Sequence, residues 1–511
     1  METSVPIKIT AHDQLCIERA PYRPCSLVIF GATGDLAHRK LFPALFNLYR
    51  EKLLPKNFFI LGAGRKTMDD GAFRKLVTAS LNEGSKRDRT LVEKFSESVY
   101  YAVCNYAEPA SFEHLREVLY GLCPKYETCG NSIFYLSLPP EVYGCTIRNL
   151  MASKLLAPDN SENPCTQLVV EKPFGQDLAS ARSLKETGLS DKQIYLIDHY
   201  LGKETVQNIL MLRFANSIFE PVWNRQHIDH VQITASESLG VEHRAGYYES
   251  AGVFRDMFQN HMLELLALVA MEPPLNFDSA HYRDEKVKVL KSIRPIVPEQ
   301  LGEYLVRGQY GQGEIFGQPV PSYREEPGVR PDSGTETFAA LKLFVDNWRW
   351  RDVPFYLRSG KRLGAQTTEI IVQFKPISHS IFAKVTPAAI PPNKICIRIQ
   401  PNEGIRIIFN AKHPGPKMCM ATLGLEFDYT AVFHEKDLSA YDRLILDCMH
   451  GDPTLFVRQD MVELSWAFVE SILSPLQSPE PAVPLQGYPA GTWGPPNSDE
   501  LIRRDGRSWG L

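Results

Sequence analysis

The stretch Cys25-Ser-Leu-Val-Ile-Phe-Gly31 constrains the fold more than any other part of this chain. A continuous apolar run ending in glycine marks a strand buried on both faces, as in a parallel sheet. Ala32-Thr-Gly-Asp-Leu-Ala-His-Arg-Lys follows, and Leu41, Leu45 and Leu48 then recur at helical spacing. Strand, glycine-rich turn and helix in that order open a dinucleotide-binding unit. The spacing is Gly31-x-x-Gly34-x-x-Ala37 rather than Gly-x-Gly-x-x-Gly. Its small residues meet the same needs: a tight turn, close backbone approach to a pyrophosphate, and close helix packing. Gly31, Ala32, Thr33, Gly34, Asp35 and Leu36 are the candidate cofactor residues here.

A second apolar strand, Phe58-Phe-Ile-Leu-Gly62, leads into Ala63-Gly-Arg-Lys66, where the ribose of a dinucleotide is read. An NAD site would place Asp or Glu there. Arg65 and Lys66 suit a 2′-phosphate instead, since a guanidinium grips it bidentately where a carboxylate repels it. NADP is therefore expected, with NAD less favoured; the alternative is an ordinary basic surface pair.

Further apolar runs near 98–103 and 131–138 alternate with helical patterns at 70–82 and 108–120. Strand Gln167-Leu-Val-Val-Glu-Lys-Pro-Phe-Gly175 ends in Lys172 before Pro173, which holds the lysine extended at the sheet's edge. The run Ile194-Tyr-Leu-Ile197 stops in Asp-His-Tyr-Leu-Gly-Lys-Glu204, so Asp198, His199, Tyr200 and Lys203 gather at a strand's carboxyl end. Open α/β sheets place ligands there. His199 and Lys203, four apart, share a face if the helix begins at once. An imidazole, a phenol and a lysine beside a helix amino terminus make a cradle for a phosphate dianion. The bland alternative is a capped helix with solvated charges.

The pattern then changes. A helix is expected over 203–223, then the alternating strand His227–Glu237, whose last carboxylate can hydrogen-bond a polyol. Gly252–Ala270 reads as a largely apolar helix interrupted by Asp256, Asn260 and His261. On an α-helix Asp256 and His261 stand about 140° apart, so His261 needs its carboxylate from elsewhere, and Asp198 is the candidate. Strands at 338–345, 354–359, 368–375, 394–400 and 404–410 imply one large antiparallel sheet, with helices at 440–449 and 457–473. Arg358-Ser-Gly-Lys361 ends one of these strands with a lysine suited to an anion.

The fold class expected is thus an N-terminal Rossmann-like, doubly wound parallel sheet joined to a C-terminal α+β domain with a large, mainly antiparallel sheet. The boundaries read as an arm over 1–24, an NADP-binding domain over 25–204, a substrate and dimerisation domain over 205–475, and a Pro- and Gly-rich tail over 476–511. At 511 residues, two or more domains are expected. A net charge of −4 supplies no basic field for nucleic acid. The ten cysteines form no Cys-x-x-Cys pair and suit reduced thiols in a cytosol. The start carries no secretory pattern and no run reaches the ~20 apolar residues of a membrane span, so a cytoplasmic protein is expected. The histidines show no ligand spacing, and no metal is expected.

Gly31-Ala-Thr-Gly-Asp-Leu-Ala37, Glu171-Lys-Pro-Phe-Gly175, Ile197-Asp-His-Tyr-Leu-Gly-Lys-Glu204, Arg255-Asp-Met-Phe-Gln-Asn-His261 and Ile399-Gln-Pro-Asn-Glu403 together resemble the glucose-6-phosphate dehydrogenase family, in order from about residue 25 to 475. The resemblance implies hydride transfer from the anomeric carbon of glucose 6-phosphate to NADP, giving the lactone and NADPH, the first step of the oxidative pentose phosphate pathway. It implies His261 as general base and Asp198 as its carboxylate partner. It places Lys172 against both sugar and nicotinamide, with Arg65 near the 2′-phosphate. His199, Tyr200, Lys203 and Lys361 become the 6-phosphate site, and Glu237 and Asp256 partners of sugar hydroxyls. It also suggests a homodimer or homotetramer.

Two departures stand out. Many members carry Arg where this chain has Leu196, so one donor near the sugar is missing or supplied from another segment. Animal members carry basic residues around Gln366, Thr367 and Ile371, for a second, structural NADP site, and here only Arg398 remains. Two other readings stay open: a dehydrogenase of another phosphorylated aldose, and a non-catalytic NADP-binding regulator.

Overall fold

The computed structural model describes residues 23–82, 88–128, 130–161, 165–182, 184–382, 385–429, 432 and 438–510. The expected arm over 1–24 lies almost wholly outside the described residues.

Six strands form the first sheet: β1 (Cys25–Phe30), β2 (Phe58–Gly64), β3 (Val99–Val103), β4 (Ser132–Leu136), β5 (Thr166–Glu171) and β6 (Ile194–Ile197). Their order is β3-β2-β1-β4-β5-β6, and every pairing is parallel. All six residues of β1 are buried, which is why its sequence is apolar throughout rather than alternating. The chain reverses its direction of growth between β1 and β4. A crevice therefore opens at the carboxyl ends of the strands, beside the glycine turn.

The second sheet has nine strands in the order β16-β15-β14-β13-β7-β12-β11-β8-β17. They are β7 (Ile228–Ser236), β8 (Leu305–Gly311), β11 (Phe338–Phe344), β12 (Pro354–Gly360), β13 (Thr367–Phe374), β14 (Lys394–Gln400), β15 (Gly404–His413), β16 (Cys419–Asp428) and β17 (Leu485–Pro489). β9 (Gly313–Ile315) and β10 (Gln318–Val320) make a separate hairpin. The large sheet is mainly antiparallel, with β7–β12 and β8–β17 parallel. The parallel pair matters for the site: Ser236 pairs with Gly360, so Glu237 and Lys361 emerge side by side. Thr368 and Gln400 pair at the same end through β13 and β14.

Two helical expectations need correction. The helix expected over 203–223 runs only Glu204–Phe214, with a short 3₁₀ turn at Glu220–Val222. Asn216 folds its side-chain amide back onto the Met211 and Leu212 carbonyls, and Pro221 blocks continuation. The helix expected over 252–270 is not one α-helix. Gly252 takes φ 60°, and a Cβ there would lie 2.4 Å from the Glu336 carboxylate, so a side chain is excluded. Beyond it Phe254–Met262 winds as a π-helix, and only Leu263–Ala270 is α-helical. Bonding i to i+5 brings residues five apart towards one face, a departure often found at functional sites. The 140° separation inferred for Asp256 and His261 does not apply.

The tail closes the second sheet. Arg507 grips Asp229 with two nitrogens, at 2.8 and 3.0 Å, and Gln232 hydrogen-bonds the Ser508 carbonyl and the Gly510 amide. Trp509 lies 4.2 Å from the buried Arg358 guanidinium, and Gly510 packs against Ile371. Among the described residues no helix is long and apolar enough to cross a membrane.

Candidate active site

The carboxyl ends of β5 and β6 face the matching ends of β7, β12 and β14, with the π-helix wedged between. Asp198 follows β6 directly and is fully buried. Its Oδ1 lies 2.5 Å from His261 Nδ1, and it also accepts the Tyr200 amide at 2.9 Å. Lys172 Nζ stands 2.7 Å from His261 Nε2 and donates to the Asp256 carbonyl at 3.2 Å. Its distance to Asp256 Oδ1 is 3.8 Å. One ammonium therefore touches both residues of the π-helix, which a straight α-helix would hold apart.

Electrostatics sort these groups into charged and neutral. Burial pushes the Asp198 carboxyl up, but His261, His199 and Lys172 together hold it below the usual carboxylate range. Burial lowers the His261 imidazole, and the Lys172 cation adds to this while Asp198 opposes it. The pair thus rests as carboxylate and neutral imidazole at neutral pH. Burial also lowers His199, well below an ordinary imidazole. Asp256 is lowered: burial works against ionisation, and Lys172, Lys361 and Arg244 outweigh it. A hydrogen bond from Nδ1 to Asp198 leaves His261 Nε2 with a lone pair aimed at the crevice, as a base requires. Asp198, His199 and His261 bring ligand-type atoms within 4.8 Å of one another, a closeness the His261–Asp198 hydrogen bond accounts for.

Around this pair lie the other expected residues. The Tyr200 ring stacks on His261 at 4.1 Å, and His199 meets it edge-on at 4.7 Å. Lys203 Nζ sits 5.0 Å from the Tyr200 ring and contacts Gln400. Lys361 contacts Glu237 and lies 3.8 Å from Asp256 Oδ2.

Two details of the phosphate cradle differ from expectation. The helix begins at Glu204 and Lys203 is its extended N-cap, so His199 and Lys203 share a turn rather than a helical face. Glu403 occupies the helix amino terminus, accepting from the Thr205 amide and hydroxyl at 3.1 and 2.9 Å. The cradle is consequently built from side chains. Sequence reasoning assigns Gln400 and Glu403 no role, although both lie in the Ile399–Glu403 string that carries part of the resemblance. Leu196 is fully buried and bonds Val457 through its backbone, so it faces core rather than crevice.

Across the crevice, Gly31 takes φ 75°, and a Cβ on it would fall 2.0 Å from the Ser137 carbonyl oxygen. Gly34 donates its amide to the Gly31 carbonyl at 2.8 Å. Ala32 is buried, Thr33 and Leu36 are half-buried, and Asp35 is exposed and paired with Arg39 at 2.7 Å. Such a turn lets backbone amides approach a pyrophosphate. Arg65 and Lys66 are exposed just beyond β2. These residues fit a dinucleotide.

Family models match both halves of the chain: glucose-6-phosphate dehydrogenase, NAD binding domain, over residues 28–208, and glucose-6-phosphate dehydrogenase, C-terminal domain, over 210–510. The chain belongs to the glucose-6-phosphate dehydrogenase family. Relatives named glucose-6-phosphate 1-dehydrogenase include one from Aggregatibacter actinomycetemcomitans, 46% identical over 95% of this chain and 97% of its own. One from Treponema pallidum is 45% identical, covering 95% of both chains. A solved glucose-6-phosphate dehydrogenase in complex with glucose 6-phosphate superposes with a TM-score of 0.87 at 34% identity, covering 97% of this chain and all of the other. As a glucose-6-phosphate dehydrogenase family member the chain has a nicotinamide-binding domain and dehydrogenase architecture, including the two sheets described above.

Proposed function

We propose that this chain oxidises glucose 6-phosphate at its anomeric carbon with NADP, giving 6-phosphoglucono-lactone and NADPH. The observation that carries the reading is the buried Asp198–His261 pair, whose Nε2 meets Lys172 at the end of a dinucleotide-binding sheet.

His261 Nε2 takes the proton of the anomeric hydroxyl, and Asp198 stabilises the imidazolium as it forms. A nicotinamide dinucleotide held by the Gly31–Leu36 turn would supply the hydride acceptor. Lys172 moves from the His261 nitrogen to the sugar oxygen and the ring edge. Glu237 and Asp256, held by Lys361, orient sugar hydroxyls. Lys203, His199 and Tyr200 grip the 6-phosphate with Lys361 nearby. Burial lowers the free Lys203 ammonium, with Glu403 and Asp198 opposing, so an arriving dianion strengthens its charge. The phosphate lies away from the reacting carbon, and its binding energy is spent on positioning.

Initial rates of NADPH formation test the reading. Glucose 6-phosphate with NADP is the fast combination; free glucose and NAD are each slow. Equal rates with glucose, or no turnover with any aldose phosphate, would leave the other readings standing. Lys203→Ala raises KM for glucose 6-phosphate about 10- to 100-fold, the loss of a charge-assisted contact, and barely changes turnover of free glucose. A fall in kcat at unchanged KM would move Lys203 out of the phosphate site.

For assembly, the reading is a dimer through the β15–β16 edge. Met418, Leu423 and Leu425 are 74, 45 and 46% exposed on β16 or at its start, and β16 is the edge strand of the sheet among the described residues. Leu423→Glu with Leu425→Glu shifts sedimentation to the monomer; an unchanged larger species would place the interface elsewhere.

A further inference from the structure

One buried carboxylate lies beside the site without touching His261 or Asp198. Glu171 ends β5, next to Lys172, and is 8% exposed. Tyr135 of β4 donates its hydroxyl to the carboxylate at 2.5 Å, and Tyr441 of the helix Ala440–His450 hydrogen-bonds it from the other side. Tyr143 donates to the Glu171 carbonyl at 3.1 Å. The same helix start braces the phosphate loop: a Cβ on Gly202 would lie 2.7 Å from the Ala440 carbonyl oxygen. Three tyrosines from separate elements thus converge on the residue that precedes Lys172.

We propose that Glu171 is a positioning residue for proton abstraction by His261, acting through Lys172. The inference rests on the base assignment made above and deepens it. The Lys172 ammonium, 2.7 Å from His261 Nε2, opposes protonation of that ring. A carboxylate on the neighbouring residue offsets this charge and anchors the backbone from which the lysine swings. Hydrophobic packing alone would not call for an ionisable group here, since an unpaired buried carboxylate costs stability.

The titratable groups facing Glu171 are Tyr135, Tyr143 and Tyr441, with Lys172 and Asp198 beside it; Cys448 lies behind Tyr135. On the far side, Lys172 faces His261, His199 and Asp256. Burial pushes the Glu171 carboxyl up to about 7, while the Tyr135 and Tyr441 hydrogen bonds and Lys172 pull it down. Its ionisation therefore falls near neutrality. As pH rises, Glu171 gains charge, Lys172 is offset, and His261 accepts a proton more readily, so turnover gains a component on its acid side.

The test compares pH profiles of kcat for the parent, Glu171→Gln and Tyr441→Phe, with glucose 6-phosphate and NADP. Glu171→Gln removes the Glu171 component and leaves only that of His261, so the acid limb moves to lower pH by about one unit. The plateau falls about 10-fold, and KM for glucose 6-phosphate stays within about twofold. Tyr441→Phe removes a donor that favours the carboxylate, so its acid limb moves to higher pH. Opposite displacements are the signature. Limbs that coincide with the parent's, with only the melting temperature lowered, reduce Glu171 to a packing clamp and overturn the proposal. Should Glu171→Gln not fold, the Tyr441→Phe profile decides alone. A parent inactive on glucose 6-phosphate would instead overturn the functional reading, an outcome distinct from either.

Discussion

His261→Asn lowers kcat for glucose 6-phosphate oxidation by about 100- to 10,000-fold, while sugar-phosphate affinity stays within about twofold. Asparagine preserves much of the ring's volume and can accept from Lys172, so the pocket remains filled. It cannot take up a proton. The residual rate reflects positioning by Lys203, Tyr200 and Glu237, which the substitution leaves in place. In the parent, kcat/KM rises with pH as His261 loses its proton. Burial and the Lys172 cation lower that imidazole from its ordinary value of 6.5, so the acid limb lies below it. In His261→Asn this limb disappears. Equilibrium binding of glucose 6-phosphate, read beside steady-state rates across pH, separates the outcomes. Weakened binding with undiminished kcat would make His261 a sugar-binding group and not the base.

Asp198→Asn is the second large effect: kcat falls about 100-fold or more, by analogy with neutralising the carboxylate behind other catalytic histidines. The Asp198 carboxylate accepts from Nδ1, which leaves the lone pair on Nε2. An asparagine amide can donate to Nδ1 instead, placing the ring proton on Nε2, where the substrate hydroxyl needs an acceptor. The sign of the pH effect follows from the charge. Asp198 raises the imidazole, so its loss lowers it further, and the acid limb moves to lower pH while the plateau drops. A limb moving upward would show that Asp198 does not face the base. Thermal unfolding serves as the control, since Asp198 also caps the Tyr200 amide.

The first sheet was legible because buried parallel strands write themselves as unbroken apolar runs, and Cys25–Phe30, Phe58–Gly64 and Ile194–Ile197 do so. The Asp198–His261 pairing was legible for an incomplete reason. α-Helical geometry separates Asp256 from His261, yet the segment winds as a π-helix and both residues reach Lys172. Side-chain spacing cannot announce a π-helix, because its i-to-i+5 bonding leaves no distinct mark in the apolar pattern. Contacts between distant segments were also hidden. Lys203 meets Gln400 and Thr205 meets Glu403 across nearly 200 residues. The helix amino terminus reads in sequence as an open anion site, and only the fold shows a carboxylate already there. The tail reads only as Pro- and Gly-rich, and that composition gives no sign of the partners near 229 and 358 to which Arg507 and Trp509 bind it.

The measurement closest to the central claim is a crystal structure of the chain with glucose 6-phosphate bound. The account predicts the anomeric hydroxyl about 2.6–3.2 Å from His261 Nε2, with Lys172 drawn from that nitrogen to the sugar oxygen. It places the phosphate oxygens on Lys203, His199 and Tyr200. A sugar bound with its anomeric carbon turned from His261, or a phosphate seated away from Lys203, would contradict it.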